Sequence, residues 1–293
     1  MSEPMQFRAP TPLEYFATLV ADDASLSLVE AAVAIAQSEF PELDTQTVLG
    51  EIDDLAERLK RRIPADAVPL QRLRWLNRFF FQELGFAGNV NDYYDPTNSY
   101  LHAVLRTRRG IPITLAVLYV EFATQIGLPA HGVSFPGHFL VKLRLKGGVQ
   151  QGEVVIDPFT GQSLSRDELD ELVAPYKRSH GLTGEFDVPL GLFLQSAPPR
   201  DVLARMLRNL KEIHRASADW ARLVAVLDRM VVLLPQAWEE RRDRGLALAE
   251  LGQDAQALED IGAYLANRPD AEDAPALAER AAELRRPGRR QLH

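Results

Sequence analysis

Apolar residues recur at helical spacing as far as Ile126, at strand spacing from Ala130 to Ile156, and at helical spacing again beyond Ser165. Helices first, strands next and helices last, with no strand–helix–strand alternation, argue against a parallel sheet. The order predicts an α+β domain followed by an all-α domain. A chain of 293 residues suits two domains. We place them at residues 1–180 and 200–293, with a linker over 181–199.

Local signals sharpen this pattern. Thr11-Pro12 opens a short helix to about Val20, and Leu28, Val29, Ala32, Val33 and Ala36 mark a second within Ser25–Ser38. Asp44 or Thr45 caps a third, running through Val48, Ile52, Leu55 and Leu59. Pro69 opens a fourth, buried at Leu73, Leu76, Phe79, Phe80 and Leu84. Phe81, beside them, is the candidate for contact between the domains. Residues 89–98, NVNDYYDPTN, form an ordered loop, and helices follow over about 96–107 and 112–126, the second closed by Gly127 and Pro129. Strands are expected over 130–135, 138–145 and 153–156, with a turn at Gly147-Gly148. Ser165 with Glu168 is a capping box for a further helix to about Tyr176.

The C-terminal region repeats. Pro235 and Pro269 lie 34 residues apart, and the same offset pairs Leu223 with Ala257, Leu227 with Ile261 and Met230 with Tyr264. The second copy carries Trp238, Gly245, Leu248, Gly252 and Ala257, similar to the tetratricopeptide pattern. The first copy has Lys211 where the small glycine belongs. Two repeats and a closing helix over 272–285 are expected.

Composition narrows the function classes. A net charge of −8 disfavours general binding to nucleic acid or to anionic membranes. The chain contains no cysteine, so it has no disulfide, thiolate metal site or thiol nucleophile. The N-terminal segment lacks a secretory pattern, and no apolar run reaches membrane-spanning length. A cytoplasmic protein is expected, from a bacterium if the bias toward Arg, Ala and Leu reflects a GC-rich genome. The six histidines, His102, His131, His138, His180, His214 and His293, show no paired metal-binding spacing, and no phosphate-binding glycine loop is present. No cofactor is expected.

Four ordered motifs carry the strongest signal: DYYDPTNSYL, RRGIPITLAVLY, PGHFLVKL and IDPFTG. Together they resemble the bacterial SirB-type family, which joins a transglutaminase-like (papain-like) core, a helix packed on an antiparallel sheet, to tetratricopeptide repeats. The resemblance covers about residues 12–285. In the superfamily a cysteine at a helix N-terminus, a histidine on the next strand and an aspartate on the following one form a thiol triad. The resemblance puts His138 and Asp157 in the last two places. Counting back from Gly127-Leu128-Pro129, the cysteine place is Pro112, which has no nucleophile.

Other readings stay open. Thr114 in the same helix, or Ser99 before it, is a conceivable hydroxyl nucleophile. A side chain two helical positions on is rotated by about 200°, however, and Thr114 is more simply bonded to its own backbone. His138 is a structural partner of Asp157, part of a ligand-reading pair, or a general base. Asp157 before Pro158, and Asn98, are also turn formers. Arg109, with Arg106 and Arg108, is an anion anchor or a solvated helix end. The candidate binding cleft is therefore Asn98, Ser99, Arg109, Thr114, His138 and Asp157. The main expectation is a non-catalytic scaffold holding a protein or peptide partner in its helical array. The rival is an amide or ester hydrolase or acyltransferase with His138 as base and Asp157 orienting it. The sequence does not set an oligomeric state.

Overall fold

The computed structural model describes residues 8–147 and 150–286, so the turn expected at Gly147-Gly148 lies outside the described residues. Two compact units form, one of 27–36 with 43–206, the other of 8–26 with 37–42 and 207–286. Helix α1 (Pro12–Leu19) belongs to the second unit. Its expected cap is in place: Thr11 Oγ1 accepts from Glu14 N–H, and Glu14 returns the bond to Thr11 N–H.

The first unit begins with α2 (Leu28–Ile35), α3 (Thr45–Lys60) and α4 (Pro69–Asn77). Helix α4 does not run smoothly to Leu84 as its periodicity predicts. Beyond Asn77 it widens into a π-turn over Arg78–Glu83, and Leu84 N–H donates five residues back to Phe79 C=O at 2.8 Å. The wider turn lets two adjacent residues, Phe79 and Phe80, both face the core. Phe81, expected to contact the other domain, packs inside its own unit, stacked on Tyr119 and covering Gly161.

A short parallel pairing joins β1 (Ala87–Gly88) to β2 (Arg109–Gly110), with α5 (Leu101–Thr107) between them. The single helix expected over 96–107 is broken. A 3₁₀ turn covers Pro96–Ser99, Tyr100 is extended, and α5 follows. Helix α6 (Pro112–Gln125) is apolar nearly all round, with nine residues buried from Ile113 to Ala123, which marks it as the central helix of its unit. Each large aliphatic side chain buried there contributes about 1.5–3 kcal/mol.

The sheet is a meander of β3 (Ala130–Val133), β4 (Leu140–Gly147), β5 (Gln150–Asp157) and β6 (Gln162–Leu164), each antiparallel to the next. The expected antiparallel sheet is therefore present, with a fourth strand that the sequence reading lacked. Leu140 and Val155 join α7 (Arg166–Ser179) and α8 (Leu190–Phe193) in one apolar cluster. Val141 and Leu143 point to the opposite face by strand alternation, toward α6.

Helix α9 (Pro199–Ala216) runs from the first unit into the second. There α10 (Trp220–Leu233), α11 (Trp238–Glu250), α12 (Asp254–Asn267) and α13 (Ala274–Leu284) form an antiparallel array, with α1 on α10. Pro235 and Pro269 follow the ends of α10 and α12, as the repeat predicts. Gly245 sits where a Cβ would lie 3.1 Å from the Ala257 carbonyl oxygen and 3.0 Å from Ile261, the close approach that calls for a small residue.

Candidate functional site

Two of the motifs meet at the start of α6, where Thr114 bonds to Asn98. Gly110 comes within reach of Thr114, whose Oγ1 would lie 2.8 Å from a Cβ at 110. Thr114 is fully buried; its hydroxyl donates to Asn98 C=O at 2.8 Å or Ile111 C=O at 3.0 Å and accepts from Ile111 N–H at 3.2 Å. It ties the helix start to the preceding loop, and its lone pairs and proton are spent on backbone. Asn98, 2% exposed, closes that loop: its amide donates to Asp92 C=O, and its carbonyl accepts from the Asn89 side chain at 3.0 Å. Ser99 is buried beside it, and its hydroxyl has no hydrogen-bond partner among the described residues. Pro112 occupies the first position of α6, half-buried, where the missing N–H costs nothing.

His138 is not on a strand, as the sequence reading had it. It is the last residue of a turn over Phe135-Pro136-Gly137-His138, two residues before β4. Gly137 has φ +73° and His138 N–H donates to Phe135 C=O at 3.0 Å, so proline and glycine take the two central places of a type II turn. The ring of His138 is half-buried and makes no hydrogen bond among the described residues.

Asp157 ends β5, and both its oxygens are engaged locally. One accepts from Phe159 N–H at 2.8 Å, the other from Thr160 Oγ1 at 3.1 Å, and Gly161 N–H closes the turn on Asp157 C=O at 2.8 Å. The carboxylate thus works as a turn former, and no hydrogen bond joins it to His138 among the described residues. That turn places the Phe159 ring where a Cβ on Gly88 would lie 2.3 Å from it, so β1 passes directly under the ring.

Arg109 spends its guanidinium on Gly85 C=O at 2.7 Å and Arg108 C=O at 2.9 Å. Arg108 takes a left-handed conformation, φ 58°, at the end of α5 and lays its guanidinium over Phe86, where burial lowers its pKa. Both serve the loop geometry. Among the described residues no group of three or more His, Cys, Asp or Glu is arranged to hold a metal.

Sequence reasoning missed Arg205. From α9 its guanidinium donates to Ser134 Oγ at 2.7 Å and to His138 C=O at 2.9 Å, and stacks over Phe139. It fixes the His138 turn from 67 residues away, and no local pattern announces such a partner.

The second unit offers a groove of about 460 Å³ between α9, α10 and α11. Its floor is Leu223, Leu227 and Ala247; Trp220 and Leu246 form the walls, and Arg215 and Glu250 stand at the rim. That volume lies within the usual range of ligand pockets, about 300–1,000 Å³. Lys211, in the glycine's place, bridges Glu240 and Asp243 at 2.6 Å each.

Comparison with known proteins adds ancestry to this geometry. A family model described as the transglutaminase-like superfamily matches residues 46–208, and one for the tetratricopeptide repeat matches 210–282. The chain is 40% identical over 247 residues to a UPF0162 protein of Xylella fastidiosa, covering 83% of this chain and 85% of the relative. It is 28% identical over 267 residues to a UPF0162 protein of Pseudomonas aeruginosa, covering 91% and 94%. A stretch of 147 residues is 44% identical to F-box only protein 21 of Mus musculus, which is 48% of this chain and 21% of the mouse protein. No solved structure matches the chain.

Proposed function

We propose, since this chain belongs to the SirB-type (UPF0162) family of transglutaminase-like proteins with tetratricopeptide repeats, that it is a binding or scaffold protein and not an acyl-transfer enzyme. The observation that carries this reading is a sequence with no cysteine, in which Pro112 stands where the resemblance would put the nucleophile. Two further observations support it. Asp157 is bonded to its own turn and Thr114 to the helix start, so neither is poised to activate or to attack.

The helical array would hold a peptide or partner helix in the groove of α9, α10 and α11, its apolar side chains on Leu223 and Leu227. The recurrence of a segment of this chain inside a longer mouse protein favours a portable module. The site around His138 and Asp157, with Asn98, Ser99 and Arg109, would then serve to shape the first domain, 1–180, or to read an extended chain without cutting it. Among the described residues no helix is long and apolar enough to cross a membrane.

The test is affinity capture with the intact chain and with the groove variant Leu246→Glu, read by quantitative mass spectrometry. Leu246 is only partly buried, and thermal unfolding of the variant close to that of the intact chain is the control for its folding. A partner depleted from the variant's eluate and retained by His138→Ala supports the reading. Partners that bind both variants equally would contradict the groove's role. The rival, a hydrolase with His138 as base for water, rests on the unpartnered ring of His138. It requires turnover that His138→Ala abolishes.

A further inference from the structure

The stretch from Glu57 to Glu83 carries seven Lys and Arg against three Asp and Glu, in a chain whose net charge is −8. Arg72 turns inward onto the Ala67 and Ile126 carbonyls, while Arg58, Arg62 and Arg78 gather between the end of α3 and the end of α4. Arg62 and Arg78 share the one carboxylate of Glu83, and Arg58 and Arg62 both reach over the Phe79 ring. Next to Arg78 lies a pocket of about 190 Å³, lined by Gln71, Arg74 and Trp75 of α4 and by Arg78 at the start of the π-turn. The Arg74 side chain is exposed and makes no hydrogen bond or ion pair among the described residues. Arg78 is 64% exposed and reaches Glu83 only at 3.3 Å. The helix widens into its π-turn at Arg78, a distortion that recurs at functional sites.

We infer that this pocket docks an acidic protein segment, one that places an apolar or aromatic side chain on Trp75 and flanking carboxylates on Arg74 and Arg78. Charge complementarity carries the choice. Two guanidiniums at helical spacing match carboxylates in bidentate geometry, and a half-buried indole between them supplies the apolar anchor that hot spots favour. A nucleic acid fits less well: the patch is about one helix wide, and the surplus negative charge elsewhere repels a long polyanion. The surface belongs to the first unit and does not depend on the groove of the helical array.

The inference is tested by fluorescence anisotropy with the intact protein and a labelled ten-residue peptide alternating Glu and Phe. A Lys–Phe peptide, a single-stranded oligothymidylate and phosphatidylserine vesicles serve as competitors. The expected result is saturable binding that weakens with salt, falls about tenfold in Arg74→Glu, survives in Trp75→Phe and drops in Trp75→Ala. Unchanged thermal unfolding of the Arg74→Glu variant shows that the loss is not misfolding. Absence of saturable binding at millimolar peptide, equal binding by Arg74→Glu, or displacement by the oligothymidylate, the vesicles or the Lys–Phe peptide in preference to unlabelled Glu–Phe peptide would overturn it.

Discussion

Pro112 starts α6 well, because proline needs no partner for its nitrogen and has its φ already set. Around it, residues of catalytic type do structural chemistry. Fully buried Thr114 donates one bond and accepts another, both to backbone, so Thr114→Val should lower stability by about 1–3 kcal/mol in urea titration. Gly88 lies under the Phe159 ring, with a Cβ position 2.3 Å from it, so Gly88→Ala must push that ring aside. That substitution should cost about 1–3 kcal/mol by the same assay. His214 belongs to the second unit. It is 3% exposed, its Nε2 has no partner among the described residues, and burial lowers its pKa against the opposing pull of Asp219 and Glu39, with Arg222 lowering it further. The unfolded chain therefore takes up a proton near the ordinary value of about 6.5 while the folded chain does not. Stability should be full above that value and fall as pH drops from it toward the depressed folded pKa. Thermal unfolding between about pH 7.5 and 5 should show this slope, and His214→Asn should flatten it.

At the scale of elements, Lys211 shows how the array tolerates a broken repeat. Its ammonium, with a side chain 10% exposed, neutralises Glu240 and Asp243 where glycine would let helices touch. Lys211→Met should destabilise the array by about 3–5 kcal/mol, and Lys211→Met with Glu240→Met should recover most of that loss. Circular dichroism during thermal unfolding distinguishes the two. The repeat itself was legible in the 34-residue offset because proline, glycine and apolar spacing are local. So were α6, its cap, and the antiparallel sheet. The π-turn at Arg78–Glu83 was not, since the Phe79-Phe80 pair reads as helix until both rings prove buried. Nor was the break at Tyr100, or β6 (Gln162–Leu164), a strand of three residues. The site was legible as motifs and illegible as bonding. DPFTG reads both as a turn and, by resemblance, as the place of a triad aspartate, and only the distances to Phe159 and Thr160 show the turn engaging the carboxylate. Arg205 holds the His138 turn across 67 residues, a relation no local pattern encodes.

For the whole molecule, the proposal is that a superfamily core with no thiol has been kept as a framework, while recognition falls to exposed surfaces. These are the groove of about 460 Å³ in the array and the basic pocket on α4. The central claim is that the first unit forms no covalent intermediate. Its most direct test is intact-mass spectrometry of the folded chain incubated with activated acyl esters and with a peptide amide, beside a heat-unfolded control. The account predicts no adduct beyond that of the control and no release of product above buffer. A stoichiometric acyl adduct on the folded chain, lost in His138→Ala, would contradict it.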